Sequence, residues 1–331
     1  MFLFKRRKLK VSFFSCLLSI LAVVVLLVTP IKEAKAAGTF YSSTLNGRAY
    51  RYYVPGSYSS TKATPLFVML HGATQTATTF AEATKMNTLA EQKGFIVLYP
   101  EQSMSANASL SWNWYYGTNQ IRSGEAAIIA SHINKIKADY NIDSNKVFVA
   151  GLSAGGAMAV IMAVVYPDLI KGLAVAAGLE FNAAMSLYAA TVAMLYGGPS
   201  ATTQGYIAYL NMPLAYEHMV KTLVFHGTAD LVVNPINGSQ IITSIAKMND
   251  YLDDGRSNNS INDVYDESYA GKVTGGRNYT RYVYYGLPNQ ILMEKYSVTG
   301  MSHAWSGGKS GASYSDSTGP DMSSIMYNFF I

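Results

Sequence analysis

Between the apolar run Val147-Phe148-Val149-Ala150 and the helix-forming stretch Ala154 to Val165 lies the pentapeptide Gly151-Leu152-Ser153-Ala154-Gly155. A buried strand that turns this abruptly into a helix needs small residues on both sides of the turn, and the residue at the apex then projects above the sheet. The five residues alone are a weak signal, because glycine-rich turns between strand and helix also cradle phosphates. Here the P-loop lysine is absent and no G-x-G-x-x-G opens a helix. With its strand and helix in place, Ser153 is the candidate nucleophile.

The rest of the chain repeats the same order. Thr39 to Val54 alternates around Asn46-Gly47 and reads as an opening β-hairpin. Pro65 to Leu70 reads as a buried strand, Thr78 to Lys93 as helix and Phe95 to Tyr99 as a second buried strand. Glu125 to Tyr140 is an amphipathic helix carrying Ile128, Ile129, Ile133 and Ile136. Val147 to Ala150, Leu173 to Ala177 and Leu223 to Phe225 supply further strands, and Tyr279 to Gly286 and Gln290 to Ser297 a closing pair separated by Leu287-Pro288-Asn289. Strands alternating with helices predict the α/β class, with a mostly parallel central sheet and helices on both faces. Two stretches depart from the rhythm. Residues 181–213, rich in Ala, Met and Tyr, are expected to form a partial cap, and residues 249–278, dense in Asn, Asp, Gly and Ser, a long surface excursion.

Composition matters only after residues 1–36 are set aside. They combine a basic start at Lys5, Arg6, Arg7, Lys8 and Lys10, an apolar run from Val11 to Thr29 and Ala34-Lys35-Ala36, the pattern of a secretory signal cleaved before Ala37. An uncleaved anchor is the alternative. Of the 25 Lys and Arg and 20 Asp and Glu in the chain, seven and one lie in this segment. The remainder therefore has 18 against 19, a net charge of −1, so the basic balance of the whole chain is no argument for nucleic acid or anionic membranes; no nucleic-acid partner and no stable membrane association after cleavage are expected. The only cysteine, Cys16, is in the same segment, which leaves no disulfide or thiolate metal site. Residues 37–331 are long enough for one catalytic domain around one core, expected as a secreted monomer.

A serine hydroxyl needs a histidine to accept its proton and a carboxylate to orient that histidine. Five histidines exist. His132 lies mid-helix, His218 precedes a strand, and His226 ends one, where it could line the site without being the base. His303, in Gly300-Met301-Ser302-His303-Ala304-Trp305, follows the last strand on a Gly/Ser loop, and the order nucleophile, acid, histidine places the base last. Asp230 follows the strand Leu223 to Phe225 through His226-Gly227-Thr228-Ala229 and is the candidate acid; Asp250, Asp253, Asp254, Asp263 and Asp266 read as surface charges. Backbone N–H groups for an oxyanion are expected in His71-Gly72-Ala73-Thr74-Gln75, with Gly72, Ala73 and Thr74 as candidates, and at Ala154 after the nucleophile. No metal or organic cofactor is required.

Met69-Leu70-His71-Gly72-Ala73-Thr74-Gln75, Trp112-Asn113-Trp114, Gly151-Leu152-Ser153-Ala154-Gly155-Gly156-Ala157-Met158, His226-Gly227-Thr228-Ala229-Asp230, Gly300-Met301-Ser302-His303-Ala304-Trp305-Ser306-Gly307-Gly308 and Gly319-Pro320-Asp321 together resemble the PHB depolymerase family of α/β-hydrolase esterases. The resemblance implies a serine hydrolase that cleaves ester bonds of poly(3-hydroxybutyrate) or related short-chain hydroxyalkanoate polyesters and oligomers. It is similar to feruloyl and acetylxylan esterases, which are the alternative. Family members commonly carry cysteines at the positions of Ala73 and Ser111, and both are absent here. Members that attack solid polymer often append a binding domain; none follows here, so any grip on polymer is expected from the catalytic domain. Among the aromatic residues, Trp112, Trp114 and Trp305 lie in motif segments and are candidates for lining the cleft. A non-catalytic polymer-binding protein on the same fold is the rival from another class.

Overall fold

The computed structural model describes residues 37–286 and 290–331; the expected signal segment and the Leu287-Pro288-Asn289 turn lie outside the described residues. The opening strands β1 (Thr39–Leu45) and β2 (Arg48–Val54) form the expected hairpin, with Asn46 and Gly47 both at positive φ, as a two-residue turn of this hand requires. β3 (Thr64–Leu70), β4 (Ile96–Pro100), β5 (Ile142–Leu152), β6 (Gly172–Ala176) and β7 (Lys221–Gly227) follow. The closing strands are β8 (Glu267–Lys272), β9 (Asn278–Tyr285) and β10 (Ile291–Val298). They make one ten-stranded sheet in the order β1-β2-β4-β3-β5-β6-β7-β10-β9-β8. The six strands from β4 to β10 in that order run parallel, and antiparallel pairs close both edges.

Alternation along the central strands divides the core. Leu66, Val68 and Leu70 of β3 face one layer, with α3 (Gly124–Asp139), α4 (Ala154–Val165) and α7 (Ile236–Asp254). Phe67 and Met69 face the other, with α1 (Ala77–Thr84), α2 (Met86–Lys93) and α8 (Met322–Phe330). All twelve residues of α4 are buried, which explains why its sequence is apolar on every side. A short parallel pair, β11 (Trp305–Ser306) and β12 (Ser315–Asp316), lies between β10 and α8 in the chain.

Two expectations need correction. The helical stretch 78–93 is two helices, broken at Lys85 with φ 56°. A continuous helix would use the Ala83 and Thr84 carbonyls, but Lys309 N–H takes the first and the Ser323 hydroxyl the second. The segment 249–278 is only partly a surface excursion: α7 runs through Asp254 with Asn249 and Asp250 buried, and β8 pairs with β9. The Asn249 amide bonds both the N–H and the carbonyl of Val220, so its polarity serves the core. Residues 181–213 contain two helices, α5 (Leu187–Tyr196) and α6 (Ala201–Asn211), with α6 packed on α7.

Candidate active site

The turn from β5 into α4 is built by close approach. A Cβ on Gly151 would lie 2.2 Å from the Gly155 carbonyl oxygen, and one on Gly155 2.1 Å from that of Leu70, so neither position accepts a side chain. Ser153 at the apex has φ 57° and ψ −121°, a strained conformation for a residue with a Cβ. Its N–H is tied to the Ala176 carbonyl at 2.9 Å, and surrounding backbone thus holds the strain in place.

Asp230 and His303 come together from the ends of β7 and β10. His303 Nδ1 donates to Asp230 Oδ2 at 2.8 Å, which leaves Nε2 as the ring nitrogen free to take a proton. Asp230 Oδ1 accepts from the N–H groups of Val232 and Val233, both at 2.9 Å. Burial alone would raise this carboxyl, but the approach of His226 Nε2 at 3.4 Å, the hydrogen bond and charge of His303 and the Val233 N–H outweigh it and hold Asp230 well below the usual carboxylate range. Asp230 is thus held as the charged partner of His303. Ser153 and His303 line one cavity of about 120 Å³ with Gly72, Ala73 and Tyr314, and no hydrogen bond joins the two side chains. The Tyr314 ring stands edge-on to the His303 ring at 6.0 Å.

The loop after β3 narrows the choice of oxyanion donor. Gly72 N–H is occupied by Gln75 Oε1 at 3.0 Å and Thr74 N–H by the Ser109 carbonyl at 2.7 Å, so neither can serve as expected. Ala73 N–H and Ala154 N–H, the latter at the first turn of α4, carry no such bond, and both residues line a second cavity of about 280 Å³ beside Ser153. His71 fixes this loop. Its Nδ1 meets the Gly72 carbonyl at 2.8 Å and its Nε2 accepts the Gln102 N–H at 3.1 Å, and burial pushes the imidazole below its ordinary value, so it is neutral.

Of the three tryptophans, Trp114 borders the cavity beside Ser153. Trp112 is wholly buried beside His71, and Trp305 is wholly buried against Phe80 with its indole N–H donated to Ser323. Both fill core beneath the motif loops rather than lining the cleft. The Trp114 loop is held by Glu125, whose carboxylate accepts the Asn113 backbone N–H and side-chain amide at 2.7 Å each. Ala73 and Ser111 border the same cavity. Leu187, Thr191 and Met194 of α5 also border it, and Val232 and Val233 close the site behind Asp230. Leu187, Thr191 and Met194 fall in the stretch expected to form a partial cap, though not singled out within it; Val232 and Val233 escaped the sequence reading, because nothing in their spacing distinguishes a cavity wall from core. His132 is a packing residue, stacked on Tyr50 at 4.5 Å, and burial pushes it down to about 4.

The profile of the family described as esterase PHB depolymerase matches residues 48–265. The chain is 33% identical over 247 residues to poly(3-hydroxyalkanoate) depolymerase C of Paucimonas lemoignei, covering 72% of this chain and 54% of that protein. It is 31% identical over 201 residues to a probable acetylxylan esterase A of Aspergillus flavus, covering 56% and 61%. The chain thus spans little more than half the length of these curated relatives. Among solved structures, an acetyl xylan esterase from Aspergillus awamori shares the fold with a TM-score of 0.65 at 22% identity, covering 81% of this chain and 94% of that one.

Proposed function

Because the chain belongs to the PHB depolymerase family of esterases, we propose that it hydrolyses carboxylic esters through an acyl-enzyme on Ser153, with poly(3-hydroxybutyrate) or related short-chain polyester as substrate. The observation that carries this reading is the strained Ser153 sharing a cavity with a His303 already hydrogen-bonded to Asp230. Ser153 Oγ attacks the ester carbonyl and passes its proton to His303 Nε2, while Asp230 stabilises the imidazolium. The oxyanion meets the N–H groups of Ala73 and Ala154. Collapse breaks the ester C–O bond and His303 returns the proton to the leaving alcohol; water then releases the acyl group by the same steps.

The surroundings of the cavity favour an uncharged, apolar substrate. No Asp, Glu, Lys or Arg occurs in residues 181–216. Leu187, Tyr188, Leu195 and Tyr196 of α5 are exposed, as are Leu231 and Val232 beside Asp230, with Leu231 89% exposed. A secretory reading of residues 1–36 fits a polymer too large to enter a cell. A carbohydrate esterase releasing acetyl or feruloyl groups is the second reading, favoured by the acetylxylan relative and by Asn107, Ser109 and Ser111 on the larger cavity.

Ser153→Ala should abolish hydrolysis of p-nitrophenyl butyrate with an unchanged circular dichroism spectrum, and unchanged turnover would refute the nucleophile. Clearing of a poly(3-hydroxybutyrate) suspension, set against ferulate release from methyl ferulate and acetate release from acetylated xylan, decides between the readings.

A further inference from the structure

His226 closes β7 with its side chain buried directly behind Asp230. Its Nε2 is 2.8 Å from the Val233 carbonyl oxygen and 3.4 Å from Asp230 Oδ2. A carbonyl oxygen only accepts, so the proton is on Nε2. Nδ1 is buried without a partner, and the backbone of α7 crosses it so closely that a Cβ on Gly238 would lie 2.7 Å away. The contact with the Val233 carbonyl thus places a proton on Nε2 and leaves Nδ1 without a partner. Val233 in turn gives its N–H to Asp230 Oδ1 at 2.9 Å, so carboxylate, loop and imidazole form a closed set of bonds. The same strand end carries the base: Thr228 N–H bonds the Val298 carbonyl and Ala229 N–H that of Met301, two residues before His303.

We propose that His226 is a positioning residue of the acyl-transfer site: its Nε2–H, directed at Val233 and the edge of Asp230 Oδ2, fixes the carboxylate that orients His303 and draws off part of its negative charge. This rests on the assignment of Ser153, Asp230 and His303 above. A ring that merely filled space could be replaced by any aromatic of similar size, whereas a donor to Oδ2 sets how strongly Asp230 stabilises a protonated His303. The titratable groups against His226 are Asp230 and, through it, His303.

The test compares wild type, His226→Phe and His226→Gln on p-nitrophenyl butyrate across pH, with Ser153→Ala as the check on the underlying assignment. His226→Phe removes the donor and leaves more charge on Oδ2 for the imidazolium. The acidic limb of its kcat/KM profile should move to higher pH by roughly half to one pH unit, with kcat down on the order of tenfold and KM within about twofold. His226→Gln, which keeps an N–H donor, should hold the limb near its wild-type position. A limb that stays put in folded His226→Phe, while Ser153→Ala is dead, would overturn the proposal and leave the nucleophile standing. If the phenylalanine variant fails to fold, ¹⁵N-histidine spectra of the wild-type enzyme at pH 7 decide: a neutral ring protonated on Nε2 supports the role, and an imidazolium or the Nδ1–H tautomer refutes it.

Discussion

Glu180 offers a sharp test of the buried chemistry beside residues 181–213. It follows β6, is 2% exposed, and neither carboxylate oxygen has a hydrogen-bond partner. Gly198, whose Cβ would lie 2.9 Å from Oε1, cannot help, because its N–H is taken by Gln240 at 2.8 Å. Burial pushes the carboxyl up from 4.5 to about 8. The folded state thus keeps a proton that the unfolded chain loses above pH 4.5. Stability is full below that pH and falls as the pH rises through about 8. At 1.36 kcal/mol per pKa unit the loss is about 5 kcal/mol at most. For a domain of this size that corresponds to a melting temperature lower by roughly 10 °C. Glu180→Gln keeps the shape and removes the charge. Thermal melts of both proteins from pH 5 to 9 should nearly converge at pH 5, separate progressively as the pH rises and keep a constant gap above about pH 8, with the variant the more stable. Parallel curves over the whole range would refute the claim that buried Glu180 is held as an uncharged acid.

Other consequences can be checked with less apparatus. Ala73 is the second residue of the Gly72–Gln75 turn, whose third residue, Thr74, has φ 64°, a geometry that accepts proline at the second position. Ala73→Pro should therefore lower kcat about 100- to 1000-fold with little change in melting temperature, and undiminished kcat would show that its N–H does not bind the oxyanion. The double variant Ala73→Cys/Ser111→Cys should oxidise to a disulfide and gain about 4 kcal/mol at most from loop closure, and free thiols after oxidation would refute the pairing of these two cavity-wall positions. Leu187→Glu combined with Leu231→Asp, the first an exposed residue bordering the larger cavity and the second an exposed neighbour of Asp230, should slow clearing of a polymer suspension at least several-fold while leaving p-nitrophenyl butyrate turnover within twofold, as expected for charge added to an apolar docking face. Equal losses on both substrates would show that the rim acts on the chemistry instead.

What was legible in the chain followed period and position. Runs such as Leu66 to Leu70 and Val147 to Ala150 are buried on both faces, so continuous hydrophobicity marked them as central strands, and the abrupt passage into an all-apolar helix marked the turn at Ser153. Asp230 and His303 were singled out because each lies on a loop after a strand and the two complete the order nucleophile, acid, histidine; the fold brings their side chains to 2.8 Å. The misses share a physical cause: contacts between segments far apart in sequence overrode a correct local signal. Helical propensity over 78–93 was real, but the C-terminal segment took the carbonyls the helix needed. Polar Asn249 and Asp250 read as surface until the edge of β7 and the loop beyond α7 supplied their partners. Trp305 sits in a motif, yet its indole bonds a serine of α8, so a motif position marks the loop and not the direction of its side chain. The oxyanion loop shows the same limit. Gly72, Ala73 and Thr74 were equivalent in sequence, and only the partners Gln75 and Ser109, which occupy two of the three N–H groups, single out Ala73. The chemistry at Ser153 thus depends on which backbone groups the fold leaves unpaired, a property of the closed set of hydrogen bonds rather than of any residue in the motif.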